Sequence, residues 1–117
     1  MAQVDQIEFQ LAKSRVKEGS AFPLPVYLRL RSTAAAATPT TIHYRIDCLT
    51  TGREVADWTS VAAASNATIA VTGTHNAILN DCNSRETKQL TVMVDDGLAT
   101  QYREAVTWTV ENLYGSP

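Results

Sequence analysis

Between Ile42 and Cys48 apolar and polar side chains change places at every residue. Ile42, Tyr44, Ile46 and Cys48 share one parity, and His43, Arg45 and Asp47 share the other. A period of two puts successive side chains on opposite faces of an extended backbone, so this stretch reads as a strand with one buried face. Thr50-Thr51-Gly52-Arg53 supplies a turn, and Val55 to Val61 returns the chain with Trp58 as the largest side chain offered to the core. An apolar run on each side of a Gly-containing turn is the pattern of a hairpin, taken here as the centre of a small antiparallel sandwich.

The same alternation recurs along the chain. Ile7, Phe9 and Leu11 share a parity in a first strand from Val4 to Leu11, and Lys13 to Ser20 reads as a polar turn ending in Gly19-Ser20. From Phe22 the pattern is longest, with Phe22, Leu24, Val26, Leu28 and Leu30 on one face and Pro23, Pro25, Tyr27, Arg29 and Arg31 on the other. Proline cannot donate to a ladder, so the first half of this strand belongs at a sheet edge or before regular pairing begins. Ser32 to Thr40, with its alanines and Pro39, reads as a loop. Ala67, Ile69 and Val71 mark a fifth strand, and Asn76 to Ser84 is a turn-rich segment whose Ile78-Leu79 pair plugs the end of the core. Leu90, Val92 and Val94 face inward on the next strand. Asp95-Asp96-Gly97 then turns the chain into a last strand, Tyr102 to Leu113, where Val106, Trp108 and Val110 share a parity with Glu104. That charge implies either a bulge or a strand that begins outside the core.

Seven or eight short strands, with turn signals every 8 to 12 residues and no amphipathic helix, define the fold class: all-β, an antiparallel immunoglobulin-like sandwich, with a jelly roll or small barrel as the alternative. Phe9, Leu28, Tyr44, Ile46, Trp58, Leu90, Val92 and Trp108 are the expected core. The 117 residues fit one domain from 1 to 117. A net charge of −2 provides no field to gather nucleic acid or an anionic membrane surface. The acid in Met-Ala-Gln-Val-Asp-Gln is unlike a signal peptide, which suggests synthesis and retention in a cytoplasm with Cys48 and Cys82 reduced, a disulfide between them being the alternative in an oxidising medium.

Chemistry-bearing residues do not fall into a reactive pattern. His43 and His75 are the two histidines, and a Ser/His/Asp set assembled from His75, Asp81 and a loop serine lacks the G-x-S-x-G elbow. Asp47, Asp81, Asp95 and Asp96 offer oxygen ligands, but Asp95-Asp96-Gly97 is explained by its turn. Neither an enzyme, a metal nor a cofactor is therefore expected. Asn66-Ala67-Thr68 matches a glycosylation acceptor without an export signal to give it meaning.

Tyr44-Arg45-Ile46-Asp47, Trp58-Thr59-Ser60-Val61 and Ala67 to Thr72 resemble the middle strands of fibronectin type III and related immunoglobulin-like modules. Over residues 40 to 115 the chain also resembles small proteins of tailed bacteriophages and prophages. That similarity is carried by Tyr44 to Asp47, Trp58 to Val61, Asn76 to Asp81, Glu86, Val92 to Gly97 and Val110 to Leu113. It implies a structural virion component, a capsid decoration or a tail or collar protein, made in the bacterial host cytoplasm. Such a protein would dock on capsid, portal or tail subunits and on copies of itself, without nucleic acid or membrane. The expected docking surface combines Pro23, Pro25, Tyr27, Arg29, Arg31, Pro39, His75 and Asn80, because loops and edges on a rigid sandwich carry binding. The rival expectation is a carbohydrate- or receptor-binding module with Tyr27, Tyr102 or Tyr114 as platforms, against which both tryptophans are read as core.

Overall fold

The computed structural model describes residues 4, 6–30, 33, 35–80, 82–95 and 101–113. Eight strands follow one another: β1 (Gln6–Phe9), β2 (Arg15–Lys17), β3 (Phe22–Arg29), β4 (Thr41–Cys48), β5 (Arg53–Val61), β6 (Asn66–Val71), β7 (Arg85–Asp95) and β8 (Gln101–Glu111). They form two sheets, β1-β3-β6 and β2-β8-β7-β4-β5, with no helix and no closed barrel among the described residues. This is the expected all-β class, a β-sandwich. The expected turn at Asp95-Asp96-Gly97, Arg31, Asp81 and Tyr114 lie wholly or partly outside the described residues.

Alternation set the faces correctly over most of the chain. Leu24, Val26 and Leu28 on β3 meet Ile42 and Ile46 on β4, Ile69 and Val71 on β6, Leu90, Val92 and Val94 on β7, and Trp108 and Val110 on β8 in one buried cluster. Phe9 and Tyr44 pack against it from half-buried positions. The proline half of β3 has β6 on one side only. Register with β1 stops at Phe9↔Val26, and beyond it only the Gln10 N–H follows, donating to the Pro25 carbonyl at 3.0 Å. A residue in a strand points its N–H and C=O to the same side, so the donor that Pro25 lacks would have faced this open side.

Three expectations are corrected. First, Arg15 to Lys17 is a strand, not part of a turn, and pairs parallel with β8 at Val16↔Val110, so the sandwich is not wholly antiparallel. Three residues are too few to show a period, and the chain simply crosses from one sheet to the other between Phe9 and Arg15. Second, the 42–61 hairpin is not central, because β5 is the outer edge of the larger sheet and β7 and β4 run through its interior. Third, Trp58 is half-buried and outside the core cluster. Its strand pairs Val61 with Ile42 and Thr59 with Tyr44, both on the inner parity, which turns Trp58 outward. Two register shifts then bring Ala56 opposite Ile46 and Glu54 opposite Asp47. Glu104 is explained without a bulge: the β7–β8 register is unbroken from Arg85↔Glu111 to Asp95↔Gln101, and Glu104 is exposed, its carboxylate accepting from the Tyr102 hydroxyl at 3.0 Å.

Candidate docking surfaces

The inner parity of β7 does not end at Leu90. Extending it backwards puts Lys88 and Glu86 inside, and both side chains are completely buried. A buried charge needs partners, and the segment between β6 and β7 provides them. Glu86 Oε1 accepts from the Leu79 N–H at 2.8 Å and the Lys88 ammonium at 3.2 Å; Oε2 accepts from the Asn80 N–H and the Asn83 side-chain amide, each at 3.0 Å. Lys88 Nζ also donates to the Ala77 carbonyl at 2.8 Å. Burial by itself would raise the Glu86 pKa, but the donors from Leu79, Asn83, Asn80 and Lys88 outweigh it and hold the carboxyl below its ordinary value. Ile78 does pack against the core, yet the plug at this end is polar, which the expectation of an Ile78-Leu79 plug missed.

Beside it, Trp108 Nε1 donates to Asn76 Oδ1 at 2.7 Å, and Asn76 Nδ2 donates to the Ser20 carbonyl at 2.7 Å. Phe22 meets the Trp108 ring edge-on at 5.5 Å. The turn after β2 and the turn after β6 touch here. Gly19 has φ of 76°, and a Cβ on Gly73 would stand 2.6 Å from the Gly19 carbonyl oxygen, so Gly73 is the residue that lets the two backbones meet. This polar chemistry is spent on holding the 72–84 segment.

The outer face of the larger sheet is different. Arg45 stands over Asp47 at 2.9 Å, with Glu54 at 3.7 Å and Asp57 at 4.0 Å, at the β5 edge. The Arg103 guanidinium lies 5.8 Å from the centre of the Trp58 ring. At the opposite edge Lys17 meets Glu111 at 3.0 Å, with Arg15 and Arg85 close enough to add to the field that lowers the Glu111 pKa, chiefly through Lys17. Between β2 and the start of β3 a groove of about 390 Å³ has Val16, Phe22, Ala12 and Ala21 as apolar walls and Lys13, Arg15 and Lys17 as cations.

The residues expected to dock do not form one surface. Pro23, Pro25, Tyr27 and Arg29 share the outer face of the smaller sheet, where the Arg29 guanidinium lies 5.7 Å from the Tyr27 ring centre and 3.9 Å from Glu8. Pro39 is buried beside Ala37 in the loop that folds back on β3, where Ala37 N–H donates to the Leu28 carbonyl, so it cannot dock. His75 Nδ1 accepts from the Thr72 N–H at 3.0 Å, and burial lowers its pKa. Asn80 is exposed on the 72–84 segment, with its side chain accepting from Cys82 N–H. Cys48 is buried and Cys82 exposed, and both are free thiols. Among the described residues no three His, Cys, Asp or Glu side chains are grouped to hold a metal.

No protein-family model matches the chain, and no curated protein matches it. Its fold is similar to the crystal structure of a conjugative transposon lipoprotein from Bacteroides eggerthii, with a TM-score of 0.52 at 12% identity over 87% of this chain and 93% of that one. The expectation of a bacteriophage virion component is corrected by this comparison. The similarity lies with a conjugative transposon protein, and nothing ties the chain to a capsid decoration, a collar or a tail. The virion location falls with it.

Proposed function

We propose that this chain is a non-catalytic docking module that works in a cell-envelope assembly of a conjugative element, joining proteins through the edges of its larger sheet. The observation that carries the reading is the division of polar chemistry. Glu86, Lys88, Asn76 and Trp108 are consumed in fixing the fold, whereas the charges of β2 and β5 stand at two open strand edges. Open edges are templates for pairing with another chain. The likeness to a lipoprotein of a conjugative transposon supplies the setting. Fractionation of cells carrying the gene, with the protein detected by antibody, tests it: recovery with the envelope and crosslinking to envelope proteins are expected. Recovery solely in the soluble cytoplasm would overturn the reading.

A second reading has one observation behind it. Trp58, read from sequence as core, lies half-buried on an outer sheet face beside Arg103, where an aromatic ring can serve a sugar. A glycan array that gives a specific hit, lost in Trp58→Ala and kept in Tyr27→Ala, would put carbohydrate binding first.

A further inference from the structure

We infer that copies of this chain associate head to tail, the β2 edge of one docking on the β5 edge of the next, so that the larger sheet continues across the junction. The inference deepens the docking reading by naming a partner, a second copy of this chain.

Three observations converge. The first is topological. β2 and β5 are the two free edges of the same five-stranded sheet. β2 runs parallel to β8, and every later step, β8 to β7, β7 to β4 and β4 to β5, is antiparallel. The two edges therefore run in opposite directions. A second copy set alongside by translation, with the ordinary sheet twist, presents its β2 antiparallel to β5, a pairing that needs no reorientation of either sheet.

The second is electrostatic. At the β2 edge Arg15, Lys17 and Arg85 act on Glu111, and Lys13 lines the same groove; Lys13, Arg15 and Lys17 are all exposed, so cations dominate there in a chain whose net charge is −2. At the β5 edge Glu54 and Asp57 are exposed, and on the β4–β5 pair they outnumber, with Asp47, the Arg45 and Arg53 cations, while Arg103 reaches the Trp58 ring from β8. The third is the face on which these groups stand. Val16 on β2 packs toward the core, which leaves Arg15 and Lys17 on the outer parity; Glu54 is paired with Asp47, also on the outer parity. In a continuous sheet the two charge sets would lie on the same side, facing each other across the junction.

The junction is self-limiting. β2 is three residues long, and the two register shifts in β5 interrupt its edge. Irregular edges shorten the available ladder, so charge carries most of the attraction and the contact is weak and salt-sensitive. Because the two patches differ, the contact is heterologous and builds an open chain or a ring instead of a two-fold dimer.

The experiment is sedimentation velocity on the full chain over a concentration series, at about 0.05 M and about 0.5 M salt. Two edge variants are compared with it. Lys13→Glu/Arg15→Glu makes the β2 edge acidic. Glu54→Arg/Asp57→Asn makes the β5 edge basic, while the amide oxygen of the introduced side chain can still accept the Trp58 N–H that Asp57 now accepts at 2.8 Å. The native chain is expected to associate at low salt and to weaken about tenfold or more at high salt. Each variant alone is expected to be a monomer. An equimolar mixture of the two recovers association, because each altered edge then meets a complementary one, and so does the chain carrying all four substitutions. If the β2 variant loses its native circular dichroism, Arg15→Gln replaces it, and if the β5 variant does, Glu54→Gln replaces it; each is expected to weaken association without reversing charge. A native chain that is monomeric at every concentration overturns the inference; if it nevertheless binds polyglutamate at the β2 edge, the partner is an acidic protein instead. Association that survives both variants, or variants that fail to recover on mixing, also overturns it. None of these failures bears on envelope fractionation, which tests the docking reading separately.

Discussion

Charged side chains serve two regions of this molecule in opposite ways. At the end of the sandwich, Glu86 and Lys88 are wholly buried and hydrogen-bonded, Lys88 to Glu86 and Ala77 and Glu86 also to Leu79, Asn80 and Asn83, so removing either partner strands the other in a medium that cannot solvate it. At the edges of the larger sheet, Arg45, Glu54, Asp57, Lys17 and Glu111 are paired too, but in reach of water. Hydration can replace a lost partner there. The first region specifies where the 72–84 segment lies; the second leaves charge available to a neighbour. A distance of 3.0 Å, as between Lys17 and Glu111, therefore means little without the burial around it.

The sharpest way to break the comparison is Lys88→Met. It removes the ammonium from the buried Glu86 carboxylate and is expected to cost about 3 to 5 kcal/mol, read as a lowered urea midpoint with an unchanged slope. Glu86→Gln in the same chain should give back part of that loss, since the neutral amide needs no counter-charge and its oxygen can still accept from the 79–83 donors. If Lys88→Met is no worse than an ordinary surface change, the buried pair does not organise this end.

The two tryptophans test the same contrast with one residue type. Trp108 is buried, packs against Phe22 and donates to Asn76, so Trp108→Ala is expected to cost about 3 to 5 kcal/mol. Trp58 sits outside the core, and Trp58→Ala should cost about 1 kcal/mol or less. Equal losses in thermal denaturation would show that the outer face of β5 is packed as an interior is.

Those tryptophans also show what could be read from the sequence. Parity placed Leu28, Ile46, Leu90, Val92 and Trp108 in the core because the β1–β3, β3–β6, β4–β7 and β7–β8 ladders that hold them run without a register shift. It failed at Trp58, whose core placement rests on its size and on an assumed core parity, because register shifts between strands leave no mark in composition. The Glu86–Lys88 pair was visible in principle. Both residues continue the inward parity of Leu90, and following that parity past the last apolar residue would have found them. Strand β2 was too short to declare a period, and the contact between Gly73 and Gly19 joins two turns far apart in the chain, which no local pattern can show. The docking residues scattered for a related reason: alternation tells which face a side chain takes, not whether loop residues such as Pro39 fold back beneath the sheet.

Acid should weaken the buried end in two steps. Burial lowers the His75 pKa, so folding favours its neutral form, whose Nδ1 accepts the Thr72 N–H. A group with a depressed folded pKa loses its stabilisation as pH falls, here starting near the ordinary imidazole value of 6.5. His75→Asn should remove this first, shallow loss from a series of denaturation curves against pH. The Glu86 pKa is also depressed, so its contribution is complete above the ordinary value of 4.5 and disappears as pH drops through the lower folded value. Glu86→Gln should abolish that second slope whatever its overall stability. A second slope that persists in Glu86→Gln would assign acid sensitivity to other carboxylates.

The smallest effect is expected at the group with the most ion-pair partners. Arg45 is within 4.0 Å of Asp47, Glu54 and Asp57, yet its guanidinium and all three carboxylates reach solvent. Water and salt then compete for every one of these charges, and holding the long side chains in place costs entropy. Arg45→Gln is expected to leave the melting temperature unchanged within experimental error, while making the β5 edge more acidic. If the head-to-tail contact exists, the same substitution should strengthen association at low salt and lose that advantage at high salt. A large drop in melting temperature would mean that the Arg45 cluster is shielded from solvent to a degree its exposure does not indicate, and the division between spent and available charge would have to be redrawn along β4.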